Sequence, residues 1–173
     1  DVLFLQGGAT QLFTTIPQNF AAGKSADYLV GGEWSKKAAG AAKEIGQKYN
    51  VVATSEASNF DQSPAEGTWK LDPEAAYLHV CSNETVHGHR LVNLPKHPTL
   101  IVDASSEFFA RPHPVQDIGL LYGGAQKNLG PSGVVIVIAK KEFLERGRRD
   151  LPKFFQYRVH AANRSLYNTP PTL

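Results

Sequence analysis

Short runs of β-branched and aromatic apolar residues recur along the chain at Val2–Leu5, Ala76–Val80, Leu100–Val102, Leu120–Tyr122 and Val134–Ile138, each bounded by Gly, Pro, Asn or Asp. Runs this short and this apolar predict buried strands. Between them lie stretches with helical spacing. The clearest spans Ser35 to Tyr49, rich in Ala, Lys and Glu with apolar positions at Ala38, Ala41, Ala42 and Ile45, and a second is expected from about Gln11 to Phe20. Strands alternating with helices predict an α/β fold with a mostly parallel sheet and flanking helices. The polar stretch 54–70, which includes Asn59, Asp61, Ser63, Pro64 and Gly67, reads as a surface excursion rather than a domain boundary. The chain opens directly in an apolar run and stops at Asn168-Thr-Pro-Pro-Thr-Leu173 without closing an element, so a single, incomplete domain is expected.

Composition narrows the classes of function. With 173 residues and 42% hydrophobic content the chain can bury a sizeable core. Eighteen Lys and Arg against 16 Asp and Glu leave a formal +2 with no basic block, which gives no electrostatic case for nucleic acid or a membrane surface. Any anion must therefore be held locally. The one cysteine, Cys81, has no partner for an intrachain disulfide, and no Cys/His spacing suggests a metal site, so a reducing compartment is expected. The apolar runs are far shorter than the roughly 20 residues of a spanning helix.

In open α/β sheets ligands bind beyond the carboxyl ends of the strands, so the residues after each apolar run are the candidates for chemistry. After the first run, Gly7-Gly8-Ala9-Thr10 leads into a helix, where free backbone N–H groups and the helix's positive end suit a phosphate; a tight turn with Thr10 as an N-cap is the alternative. Lys127 follows Leu120–Tyr122 and a Gly-Gly pair. If flanking strands desolvate its amine it can act as a nucleophile toward a carbonyl; otherwise it is a solvated loop lysine. Asp103 ends the third run, where a carboxylate needs a cation or several hydrogen bonds. A protonated pyridine nitrogen, the following loop's amides, or a metal or nucleotide would each serve. Trp34 is placed either to stack on a ring or to anchor the core, and Thr85 and Ser105 add hydroxyls at strand ends, where turn or cap roles compete. Together these residues supply a phosphate cradle, a stacking aromatic, a carboxylate and a lysine, the parts a pyridoxal phosphate site requires.

The run Gly124-Ala-Gln-Lys-Asn-Leu-Gly-Pro-Ser-Gly133 with Val134-Val-Ile-Val-Ile closely resembles the lysine segment of phosphoserine aminotransferases, fold type I pyridoxal enzymes. The likeness continues in Phe4-Leu-Gln-Gly-Gly-Ala-Thr10, Ala26-Asp-Tyr28 leading to Trp34, Asn83-Glu-Thr85 and Leu166-Tyr-Asn-Thr-Pro-Pro171. The resemblance implies that Lys127 holds the cofactor as a Schiff base and shuttles the proton, with Asp103 on the ring nitrogen. It further implies that Trp34 stacks on the ring, Thr85 bonds the phenolic oxygen, and Ala9, Thr10, Ser105 and Gln126 surround the phosphate. Asn168 and Thr169 would reach the neighbouring subunit's cofactor, which implies a homodimer. The implied reaction is amino transfer from glutamate to 3-phosphohydroxypyruvate in serine biosynthesis. The implied location is the cytoplasm, or a plastid in a photosynthetic eukaryote. The chain departs from the pattern in Gly-Gly-Ala-Thr-Gln-Leu-Phe, where the family commonly sets Gln directly before Phe and some members have Arg at the position of Thr10. The family's substrate-binding His, Arg and second Arg fall outside this stretch, in an upstream segment and a small C-terminal domain, and Arg111 reads as structural. Two alternatives stand beside this expectation: a cofactor-binding but catalytically incomplete α/β module, and a sister enzyme of serine-glyoxylate type. A desulfurase is disfavoured because Cys81 falls within a strand-like run rather than a mobile loop.

Overall fold

The computed structural model describes residues 1–169 and contains a seven-stranded sheet of order β1-β9-β8-β7-β4-β2-β3. Its strands are β1 (Val2–Gln6), β2 (Ala26–Val30), β3 (Tyr49–Thr54), β4 (Leu78–Cys81), β7 (Leu100–Asp103), β8 (Leu120–Gly124) and β9 (Val134–Ala139). A small separate hairpin joins β5 (Asn83–Glu84) to β6 (His89–Arg90). Four α-helices accompany them: α1 (Ala9–Phe20), α2 (Glu33–Glu44), α3 (Lys141–Glu145) and α4 (Tyr157–Ala162).

The sheet is parallel from β8 to β3, and β9 alone runs against the others, pairing antiparallel with both β1 and β8. The expected mostly parallel sheet with flanking helices is what forms. All five anticipated strands are present. The sequence reading passed over β2, β3 and the hairpin, and it ran the α2 helix on to Tyr49. In the structure Gly46, at φ +70°, ends that helix, and Tyr49 starts β3.

Both faces of the sheet are buried, which explains why its inner strands are apolar throughout rather than alternating. One face carries Tyr28, Ile101, Leu120, Tyr122, Val135 and Val137, packed beneath Leu12, Phe13, Ile16 and Phe20 of α1 and the alanines of α2. The other face carries Leu29, Leu78, Val80, Leu100, Val102 and Leu121, packed with Phe108, Ile118 and Leu91. After β2 the chain steps outward to β3; after β4 it steps the other way, through β7 to β8. The direction of winding therefore reverses between β2 and β4, and a crevice opens there beyond the strands' carboxyl ends.

Candidate active site

A cleft with about 490 Å³ of empty space lies over the carboxyl ends of the sheet. Gly8, Ala9, Thr10, Phe13, Trp34, Cys81, Asn83, Asp103, Ser105, Ser106, Gln126 and Lys127 line it. Five strand ends contribute, so residues spread over 120 positions meet because parallel strands all release their chain on the same side.

At one end is the start of α1. Gly8 occupies its N-cap, so no side chain caps the helix, and there is no acidic residue in the first turn. The first amides of a helix have no acceptor within it, so those of Ala9 and Thr10, at the edge of the cleft, suit an anion. The preceding turn needs glycine at Gly7, where φ is +107° and the Gln11 side chain folds across the position a Cβ would occupy.

On the floor lies Asp103, only 4% exposed. The Ser105 amide and hydroxyl both donate to its Oδ1, at 2.9 and 2.6 Å, and Gly124 N–H donates to the Ser105 hydroxyl at 3.1 Å. Oδ2 has no hydrogen-bond donor among the described residues. Burial raises the Asp103 carboxyl above its ordinary range, although the Ser105 bonds and the charge of Lys127 pull it down. A buried carboxylate with one bare oxygen facing a cleft fits a cationic ring N–H. The Ser105 hydroxyl hydrogen is thus already engaged. In this geometry Ser105 orients Asp103.

Lys127 sits in a turn closed by the Leu129 and Gly130 amides on Ala125 O, at 3.1 and 2.8 Å. The turn lifts the lysine out of the sheet, so its amine is exposed, the second of the two settings the sequence left open. Nζ lies 4.6 Å from the centre of the Trp34 ring and donates to Thr85 Oγ1 at 3.3 Å. Trp34 Nε1 donates to the same oxygen at 3.1 Å. With two donors on its oxygen, the Thr85 hydroxyl has its own hydrogen left to give.

The expected residues Ala9, Thr10, Trp34, Asp103, Ser105, Gln126 and Lys127 share the cleft, and Thr85 joins through Trp34 and Lys127. Asn168 and Thr169 do not. They lie by β1 and α4, with Gln6 and His160, and the Gln6 amide donates to Thr169 O. Arg111 is structural: it grips Glu107 through Nε and Nη2 at 3.1 and 3.0 Å, and Glu107, which burial alone would raise, is held below its usual range by that guanidinium. Cys81 ends β4 with its thiol pushed far up by burial, which fits a packing residue better than a nucleophile. Phe13, four positions along α1 from Ala9, reaches the cleft without having been anticipated, although that spacing places it on the same helix face.

The cleft gathers an uncapped helix start, a lysine and a buried carboxylate, and comparison with known proteins identifies the family. The aminotransferase class-V model matches residues 1–172, and the chain belongs to that family. Within the family it is similar to phosphoserine aminotransferases. That of Aromatoleum aromaticum is 46% identical over 179 residues, covering 99% of this chain and 49% of the relative. The phosphoserine aminotransferase structure from Bacillus circulans subsp. alkalophilus superposes with a TM-score of 0.94 at 44% identity, covering 99% of this chain and 48% of that one. The pyridoxal-phosphate-bound enzyme of Trichomonas vaginalis gives 0.92 at 41%, covering 99% and 49%. The chain thus spans about half the length of the relatives it matches.

Proposed function

We propose that this chain forms the cofactor-binding large-domain portion of a phosphoserine aminotransferase, exchanging the amine of glutamate with 3-phosphohydroxypyruvate to give phosphoserine and 2-oxoglutarate. The observation that carries the reading is the single cleft in which Asp103 presents a bare carboxylate oxygen while Lys127 reaches in over Trp34.

When bound, pyridoxal phosphate supplies an electron sink for the pair released from the substrate Cα–H bond. The chain's own residues do the rest. Lys127 Nζ would hold the aldehyde carbon covalently and, as a free amine, would move the proton from the substrate Cα to that carbon. Asp103 keeps the ring nitrogen protonated. Its carboxylate, raised by burial, regains a cationic partner there. Thr85, with its oxygen already accepting from Trp34 and Lys127, donates to the phenolic oxygen. The Ala9 and Thr10 amides, with Ser105 and Gln126, would hold the phosphate at the start of α1. Trp34 covers the ring. In a homodimer, Asn168 and Thr169, lying away from this cleft, would serve the neighbouring subunit's site. A cytoplasmic setting, in which Cys81 stays reduced, goes with this reading.

Glutamate added to the yellow, cofactor-loaded protein should bleach it with release of 2-oxoglutarate, and 3-phosphohydroxypyruvate should restore the colour and yield phosphoserine. A spectrum that glutamate leaves unchanged favours a binding module. Restoration by glyoxylate but not by the phosphorylated keto acid favours the serine-glyoxylate type.

A further inference from the structure

Glu84 is the most deeply buried carboxylate around the cleft, at 2% exposure, and it makes no salt bridge among the described residues. Three donors converge on it instead. Oε2 accepts the Trp34 amide at 2.9 Å, while Oε1 accepts the Ser35 amide at 2.9 Å and the Ser35 hydroxyl at 2.5 Å. These are the opening residues of α2, whose N-cap, Gly32, has no side chain with which to satisfy them. Glu84 therefore caps α2 from 50 positions away, its charge facing the helix's positive end. Gly32 is glycine for this reason: a Cβ there would stand 2.6 Å from the Glu84 carboxyl.

The hairpin that carries Glu84 makes a second contact with the same turn. His89 Nε2 donates to Gly31 O at 2.8 Å, and its Nδ1 accepts the Ser63 hydroxyl at 3.1 Å. The residue after Glu84 is Thr85, which accepts the indole N–H of Trp34 at 3.1 Å. Trp34 is thus held at both ends by consecutive residues of one hairpin, its backbone by Glu84 and its ring by Thr85. This brace lies at the crevice beyond β2 and β4, the point where the winding of the sheet reverses.

We propose that Glu84 is a positioning residue: acting through the Trp34 amide, it fixes the indole over the cleft and so governs how tightly pyridoxal phosphate is held. The proposal rests on the reading that Trp34 stacks on the cofactor ring. Glu84→Gln isolates the effect. The remaining amide oxygen can keep both Ser35 donors only by turning its NH2 toward the Trp34 N–H, donor against donor.

The test is a double-mutant cycle in the full chain, with cofactor affinity read from the lysine adduct's absorbance in the parent, Glu84→Gln, Trp34→Leu and the double variant. In a Trp69→Phe background, quenching of the one remaining tryptophan, Trp34, by the cofactor gives a second readout. Glu84→Gln should weaken binding about tenfold and reduce the quench, yet weaken it less than about threefold once Trp34 is already Leu. Equal weakening in both backgrounds would mean a merely structural cap and overturns the proposal, as does an unchanged affinity. If Glu84→Gln does not fold, Gly32→Ala disturbs the same contact from the helix side and should give the same pattern. A parent that forms no adduct at all sinks the functional reading, and the brace with it; a normal parent without coupling sinks the brace alone.

Discussion

Replacing Asp103 by Asn should make the cofactor-free protein more stable while disabling it. Both hydrogen bonds to Asp103 come from Ser105 and land on Oδ1, so an asparagine with its oxygen there keeps them and turns Nδ2 toward the open cleft. Only the charge is lost. Because burial raises the folded-state pKa of Asp103 above its unfolded value, its stabilising contribution is complete below the unfolded pKa and is lost as pH rises through the folded one. At pH 7 the carboxylate therefore costs stability that the amide does not. A gain of about 0.5–2 kcal/mol is typical when a functional charge is removed in this way, which corresponds to roughly 2–4 °C in Tm per kcal/mol for a chain of this size. Denaturation of cofactor-free parent and variant at pH 7 and at pH 4 measures it, and the difference should shrink at the lower pH. With pyridoxal phosphate at about 100 times its Kd the parent should gain about 2.7 kcal/mol, and the variant less. Transamination by the variant should fall about 10²–10³-fold, the loss typical of removing one preorganised electrostatic partner. A variant less stable than the parent at pH 7, or equally active, would refute the role given to Asp103.

Three further outcomes are expected. Gly123→Ala would set a Cβ 2.5 Å from the Phe108 ring and 3.2 Å from Ser105 Cα, so denaturant titration should show a loss of about 1–3 kcal/mol. Thr85→Val strips Trp34 Nε1 and Lys127 Nζ of their shared acceptor, and cofactor titration should show affinity reduced about tenfold. His79, bonded through Nε2 to the Tyr122 hydroxyl at 2.8 Å, is pushed by burial down to about 3, so the unfolded chain takes up a proton below about pH 6.5 that the folded chain refuses. Stability should fall by roughly 1.4 kcal/mol per pH unit from there toward pH 3, and His79→Gln should flatten that slope in a pH series of melting curves.

The strands most legible in the sequence are those buried on both faces, because a continuous apolar run survives without neighbours to interpret it. β2 reads Ala-Asp-Tyr-Leu-Val, and its polar Asp27 disguised it: that carboxylate is satisfied by the Asp72 amide and the Asn50 side chain, contacts that exist only after folding. β3 carries exposed positions at the sheet edge and blurs into the helix before it, with Gly46 the one signal of the break. Lys127, Asp103 and the Gly-Gly turn were readable because each follows a strand, and strand ends are where such a fold puts its chemistry. Glu84 was not, because its meaning lies in Gly32, a residue that says nothing about its cap until the hairpin is folded against it. Which of its two settings the Lys127 amine takes was not legible, since exposure depends on a turn that lifts it clear of the strands that flank it in sequence.

The most direct measurement is borohydride reduction of the protein loaded with pyridoxal phosphate, followed by peptide mapping of the labelled lysine. The label should fall on Lys127 alone and vanish in Lys127→Ala; a label on any other lysine, or none in the parent, contradicts the site described here.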